Sequence, residues 1–124
     1  MDAVCWPERK GHYKVIQLYL REEPMLAIGP LEKRHRQILD NILDQSGVTE
    51  RPRERIQGMP VAARRGPEYS VAGMGRVFFR PEEREAEFYG ASTDYEMNIS
   101  EEHLEALRSR CQQWTLTNNR TRLS

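Results

Sequence analysis

The chain has 124 residues, and its 19 Lys and Arg residues balance its 19 Asp and Glu residues. This length predicts a single domain over residues 1–124, with a core over about 12–117. Because nucleic-acid-binding domains usually carry a net positive charge, the neutral balance argues against a nucleic-acid partner. No apolar run approaches the roughly 20 residues of a membrane helix, and the N-terminus lacks a signal-peptide pattern. We therefore expect no membrane partner and a cytoplasmic location.

The first predicted strand covers residues 13–20, which are rich in β-branched, aromatic and aliphatic side chains. Side chains alternate across a strand, so Lys14 lies on a face that is otherwise aliphatic, formed by Ile16, Leu18 and Leu20. Residues 25–28 predict a short second strand that ends at Gly29.

From Pro30 to about Ser46, apolar residues recur at intervals of three and four, which predicts a helix. Pro30 suits the first helical position, and Gly47 suits the position after the last. His35 falls in the second turn and on the apolar stripe. The stripe consists of Leu31, His35, Ile38, Leu39, Ile42 and Leu43.

Residues 49–67 contain five arginines, two glutamates, three prolines and two glycines without a sustained period. This composition predicts a long mobile loop with a net charge of +5 − 2 = +3. Such a loop either reaches over an acidic or phosphorylated partner or is simply solvated.

The second half of the chain predicts an antiparallel meander of three strands, over residues 69–72, 76–80 and 84–91. Gly73 and Gly75 interrupt the first pair. Ser100 is placed to cap a second helix. This helix is followed by a short strand over 114–116 and a frayed tail over 118–124. The order β-β-α-β-β-β-α-β predicts an α+β fold: a mixed, largely antiparallel sheet of about six strands with two helices.

Four short motifs, taken in order, resemble the Janus/ocnus family, whose best-known members are the small protein-histidine phosphatases. They span roughly residues 12 to 116 and are Tyr13-Lys14-Val15-Ile16, Arg34-His35-Arg36-Gln37-Ile38-Leu39-Asp40, Gly73-Met74-Gly75-Arg76-Val77 and Tyr89-Gly90-Ala91-Ser92-Thr93-Asp94-Tyr95.

The resemblance implies cleavage of a phosphate ester or phosphoramidate without metal or cofactor, on a phosphorylated protein or a small phosphoramidate. It implies that His35 is the general base, that Lys14 and Arg76 hold charge around the phosphoryl group, and that the Ser92 loop binds its oxygens. The chain departs from the family pattern in three ways: a further histidine that the family carries just before its second helix is missing, the loop over 49–67 is longer, and one site residue differs. Asp94 stands where the family has a small uncharged residue, and it brings a carboxylate towards an anion site.

Each candidate residue also has a purely structural interpretation. His35 is equally a hydrogen-bonded core histidine, Lys14 a residue that reaches solvent at the sheet edge, and Ser92 a turn residue. Arg76 fits a surface ion pair. Asp94 either opposes an anion or binds a cationic group of a substrate. The function alternative is therefore a non-catalytic module that binds an anionic or phosphorylated peptide or ligand.

The remaining histidines and the cysteines predict no further chemistry. His12 is expected in a loop before the first strand, and His103 on the solvated side of the second helix. The three histidines lack metal-ligand spacing, so no zinc site is expected. Cys5 and Cys111 are expected to be structural thiols.

Overall fold

The computed structural model describes residues 6–121, so Cys5 lies outside the described residues. Within this range, neither helix is long and apolar enough to cross a membrane. The elements are β1 Gly11–Leu20, β2 Glu23–Gly29, α1 His35–Gln45, β3 Arg53–Ile56, β4 Met59–Ala62, β5 Tyr69–Arg80, β6 Glu85–Tyr89, β7 Ala91–Ser92, β8 Met97–Asn98, α2 Glu101–Arg108 and β9 Thr115–Asn118.

The main sheet has five strands in the order β2-β1-β5-β6-β9. All neighbouring pairs are antiparallel except β6 and β9, which are parallel. The predicted α+β class with a mixed, largely antiparallel sheet is therefore confirmed. Strands β1 and β5 form the longest pairing, in which Lys14 lies opposite Arg76.

The two strands predicted over 69–72 and 76–80 are one continuous strand, β5. Its glycines are sites of close contact and do not interrupt it. A Cβ atom at Gly73 would lie 2.4 Å from Oε1 of Gln17, and one at Gly75 would lie 2.6 Å from the carbonyl oxygen of Tyr89. The strand therefore needs glycine at both positions for its neighbours to pack against it.

Each face of the sheet carries one helix and one apolar cluster. On the first face, α1 covers the aliphatic face of β1 that the sequence predicts. On the opposite face, α2 covers Val15 of β1 and the apolar residues of β5 and β6. The α1 cluster includes Ile16, Leu18, Met74, Ile38, Leu39 and Leu43, and the α2 cluster includes Val15, Val77, Phe79, Phe88, Leu104 and Leu107.

Helix α1 begins at His35, later than the predicted start at Pro30. Residues 30–33 form a separate turn, closed by the amide of Lys33 and the carbonyl oxygen of Pro30 (3.1 Å). Arg34 has extended backbone and its amide donates to Oε1 of Gln37 (2.8 Å). His35 therefore occupies the first turn, and Leu31 is left outside the buried stripe with 39% of its surface exposed.

The predicted plain loop over 49–67 contains a β-hairpin, formed by β3 and β4. Gln57 and Gly58 both have positive φ (51° and 81°), which produces a two-residue turn between the strands. The hairpin buries Val61 against the α1 cluster, and Arg51 anchors its base by ion pairs with two aspartates of α1.

The C-terminal segment is ordered further than predicted, because β9 extends to Asn118. The amide of Asn119 donates to the carbonyl oxygen of Phe88 (2.8 Å). Residues 122–124 of the predicted frayed tail lie outside the described residues.

His103 is fully buried, which makes the prediction of a solvated side chain wrong. Its Nε2 donates to the carbonyl oxygen of Leu18 in β1 (2.9 Å). The predicted cap of α2 is confirmed, since Ser100 Oγ accepts from the amide of His103 (3.2 Å). Beside this cap, buried Gln17 binds both backbone groups of Ser100: Oε1 accepts from its amide (2.7 Å) and Nε2 donates to its carbonyl oxygen (3.0 Å).

Candidate functional site

Lys14 and Arg76 lie side by side because their strands are antiparallel neighbours in register. Both lie on the α1 face of the sheet. The next residue pair on this face is Ile16 and Met74, which belong to the buried α1 cluster. The aliphatic face of β1 therefore ends in a pair of cations beside the start of the helix.

His35 is the first residue of α1 and is 5% exposed. Its Nε2 lies 2.9 Å from the carbonyl oxygen of Gly75, which can only accept a hydrogen bond. Nε2 therefore carries the proton in the neutral imidazole, and Nδ1 carries the lone pair. Among the described residues, the hydrogen bond of the His35 ring is the one made by Nε2, and His35 lines a cleft, so the lone pair of Nδ1 is available to a ligand.

The surroundings of His35 favour its neutral form. Burial lowers the pKa of His35 below its ordinary value of 6.5, and the charges of Lys14 and Arg76 lower it further. The hydrogen bond to Gly75 and the charge of Asp94 act in the opposite direction without reversing the shift. The pKa of Lys14 is also lowered, first by partial burial and then by Arg76.

The loop around Ser92 is held by hydrogen bonds within the loop and with residues at the end of β4 and just after it. Strands β7 and β8 pair as a short hairpin, in which Ser92 is buried and its Oγ accepts from the amide of Tyr95 (3.4 Å). The hydroxyl of Tyr95 donates to the carbonyl oxygen of Ala62 (2.9 Å), and Arg64 donates to the carbonyl oxygen of Tyr95 (3.1 Å). The β3–β4 hairpin therefore fixes the position of this loop.

Asp94 contacts two arginines that flank His35 in sequence. Its carboxylate accepts from Nη1 of Arg34 at 3.3 and 3.5 Å and lies 3.7 Å from Nη1 of Arg36. The Asp94 side chain is 8% exposed, whereas the Arg34 side chain is 52% exposed. Neither arginine belongs to the apolar stripe of the sequence, and neither was predicted to be a site residue. Their position on either side of His35 was the available signal.

The five predicted site residues line one cleft of about 330 Å³, where the sheet face meets the start of α1. Lys14 of the sheet and His35 of the helix therefore share this cleft. Glu32 and Arg34 complete the charged lining and were missed. The cleft is lined by Lys14, Glu32, Arg34, His35, Arg76, Ala91, Ser92, Thr93 and Asp94.

His12 belongs to β1, not to a loop, and its Nδ1 lies 2.6 Å from the hydroxyl of Tyr89. Its ring stacks on Phe78, with centroids 4.5 Å apart. His12 is not part of the cleft lining. Tyr89 also lines a larger neighbouring cleft of about 490 Å³, which meets the first at Ala91.

Residues 6–121 contain no group of three His, Cys, Asp or Glu side chains placed to hold a metal ion. The charged groups of the cleft are two carboxylates, three cations and an imidazole whose neutral form is favoured. This arrangement can bind an anion and accept a proton. A scan of the chain against protein-family models matched none of them, and a search of curated proteins returned no match.

Proposed function

We propose that this protein is a metal-independent phosphohydrolase of the Janus/ocnus type that works in the cytoplasm on a phosphorylated protein side chain or a small phosphoramidate. His35 acts as the general base. Lys14 and Arg76 bind the phosphoryl oxygens, and the amides of the Ser92 loop complete the anion site. The four sequence motifs that resemble the family contribute every residue of this cleft except Glu32.

One observation carries the proposal, namely the hydrogen bond from Nε2 of His35 to Gly75. It fixes the tautomer and leaves a basic Nδ1 beside two cations. A general base must be neutral at the working pH, and the lowered pKa of His35 meets that requirement. A histidine that served only to pack the core would not need cations on the neighbouring strands.

The proposed reaction conserves atoms and charge. A water oxygen attacks phosphorus while Nδ1 of His35 accepts a proton from that water. The P–N bond breaks, and its electron pair stays on the leaving nitrogen, which receives the proton back from His35. Lys14 and Arg76 neutralise the negative charge on the phosphoryl oxygens throughout.

The test is hydrolysis of phosphohistidine and phospholysine by the wild type and by His35→Ala. We expect His35→Ala to lower turnover about a hundredfold or more without unfolding the protein, and chelators to have no effect. His12→Ala is the matched control, since His12 lies on the same face outside the cleft and its variant should retain most of the rate. Equal rates for wild type and His35→Ala would contradict the proposal.

The second candidate is a non-catalytic module that binds a phosphorylated peptide in the same cleft. The Asp94 carboxylate favours it, because a fixed negative charge beside the anion site disfavours a dianionic transition state. A wild-type protein that binds phosphopeptide but hydrolyses neither substrate would establish this alternative.

A further inference from the structure

Three cations line the cleft and a fourth, Arg36, contacts its Asp94, which is more than one phosphoryl group needs; the four fall into two sets. Lys14 and Arg76 lie on the sheet, beside His35. Arg34 and Arg36 lie at the start of α1, and both contact the carboxylate of Asp94. The first pair makes no ion pair among the residues that the structure describes, whereas the second pair is already satisfied by an anion.

The Asp94 carboxylate is bound as a ligand would be. Its side chain is 8% exposed and accepts from Arg34 through both carboxylate oxygens, with Arg36 on the other side of His35 in sequence. Arg34 is half exposed, so the pair lies at the cleft mouth where an incoming group can reach it. Pairs of guanidinium groups bind carboxylates and phosphates in this way.

We propose that Arg34 and Arg36 form a second anion subsite and that Asp94 occupies it in the free protein. The site then selects a phosphoryl compound that carries an additional carboxylate close to the phosphorus, and this carboxylate displaces Asp94. Asp94 is thus the specificity-determining residue of the cleft. This inference rests on the proposed phosphate cleft, but it concerns binding and does not require hydrolysis.

Displacement explains how a carboxylate can be retained beside an anion site. While Asp94 holds the arginines, a ligand with one anionic group gains nothing from them and meets a nearby negative charge. A ligand with a second anionic group recovers both guanidinium groups, but it must first break the contacts with Asp94. The wild type should therefore show a small preference for the second carboxylate, and removing the charge of Asp94 should enlarge that preference.

The test compares two unreactive probes that differ in one carboxylate, methylphosphonate and phosphonoacetate, by calorimetric titration. The measured quantity is the ratio of their dissociation constants. We expect the wild type to bind phosphonoacetate slightly more tightly than methylphosphonate, and we expect this ratio to rise by about tenfold or more in Asp94→Asn, since the guanidinium groups released from Asp94 become available to the carboxylate of the probe. The increase should disappear in Asp94→Asn/Arg34→Gln.

Glu32→Gln is the matched control, because it removes one negative charge from the same cleft without releasing the arginines. Its ratio should stay at the wild-type value. An equal increase of the ratio in Glu32→Gln and Asp94→Asn would mean that the net charge of the cleft alone causes the effect, and it would overturn the subsite. Absence of binding of both probes to every variant would overturn it as well.

The proposed hydrolysis is judged separately. If the ratios behave as expected but phosphohistidine and phospholysine are not cleaved, the subsite stands and the catalytic proposal fails. Arg34 is half exposed, so Arg34→Gln is not expected to unfold the protein, and circular dichroism of each variant verifies this.

Discussion

Nε2 of His35 is committed to the carbonyl oxygen of Gly75, so any proton transfer in the cleft must use Nδ1. The first-turn position reinforces this role, because the amino end of a helix disfavours a positive charge. Burial and two nearby cations also favour the neutral imidazole. The proposed base is thus available over a wider pH range than a solvated histidine.

The pH dependence of hydrolysis follows from the lowered pKa of His35. The neutral form is required, so kcat/KM should be flat around neutral pH and fall in acid, with its midpoint below the ordinary value of 6.5. The measurement is a pH–rate profile together with an NMR titration of the His35 imidazole. A midpoint above 6.5 in both would contradict the assigned environment.

The candidate site was largely predictable because its residues lie at positions that alternation and helical period define. The parity of β1 placed Lys14 on the same face as Ile16, and the apolar stripe placed His35 against that face. The partners of Asp94 were not predictable from either rule. Arg34 and Arg36 reach Asp94 across 60 and 58 positions of sequence, and no local pattern records such a contact.

Among the elements, α2 depends on a polar contact with the sheet. Gln17 satisfies the amide and carbonyl groups of Ser100, directly beneath Gly73 of β5. The start of α2 is therefore fixed to the central strands by hydrogen bonds as well as by its apolar face. The sequence predicted the Ser100 cap but not this contact, because Gln17 and Ser100 are 83 residues apart.

Replacing Gln17 should cost more stability than replacing the cap residue itself. Gln17→Leu leaves two backbone groups of Ser100 without their partner and should lower the free energy of unfolding by about 2 kcal/mol or more. Ser100→Ala removes one capping bond and should cost about 1 kcal/mol. Urea denaturation measures both, and a smaller loss for Gln17→Leu than for Ser100→Ala would contradict this account.

Gly73→Ala should be destabilising by about 3 kcal/mol, since the added Cβ would approach backbone oxygen of Asn98 to 2.6 Å as well as Gln17. Ser70→Ala on the same strand is the control and should change stability by less than about 0.5 kcal/mol. Urea denaturation of the two variants decides the matter. A neutral Gly73→Ala would show that the strand can shift to admit a side chain.

The α+β class was predictable, but the full strand order was not, because β5 was predicted as two strands and the hairpins β3–β4 and β7–β8 were not predicted. Gly73 and Gly75 read as a break between strands, but their missing side chains allow close contacts within one strand. The hairpin over 53–62 was missed because Gln57 adopts a positive φ, which a glutamine does not predict. The charged residues and prolines of that segment favoured the prediction of a loop.

At the scale of the whole molecule, each helix is joined to a central strand by a buried histidine. Nε2 of His35 donates to Gly75 in β5, and Nε2 of His103 donates to Leu18 in β1. Burial lowers the pKa of both histidines, although the backbone hydrogen bonds oppose the shift. The folded protein therefore resists protonation on both faces of its sheet.

Acid should destabilise the protein for this reason. In the unfolded chain both histidines regain a pKa near 6.5, so the unfolded state binds more protons at lower pH. The contribution of the neutral imidazoles is complete above about pH 6.5 and is lost as the pH falls below it. Urea denaturation from pH 7.5 to 5 should show this decline, with a smaller slope in His103→Gln. Imidazole NMR of the wild type gives an independent measurement, and a pKa of His103 at or above 6.5 would contradict the explanation.

The pairing of Lys14 with Arg76 across β1 and β5 also concerns how the chain folds. Strands β1 and β2 are one local hairpin and β5 and β6 are another, and the cleft lies on the seam where the two dock. Closing that seam joins residues about 60 positions apart, which is a slow step relative to hairpin formation. The site between Lys14 and Arg76 spans this seam, so it forms only after the two hairpins have docked. We therefore expect phosphate to slow unfolding while leaving the refolding rate almost unchanged, because phosphate bound in the proposed anion site would hold the two hairpins of the sheet together.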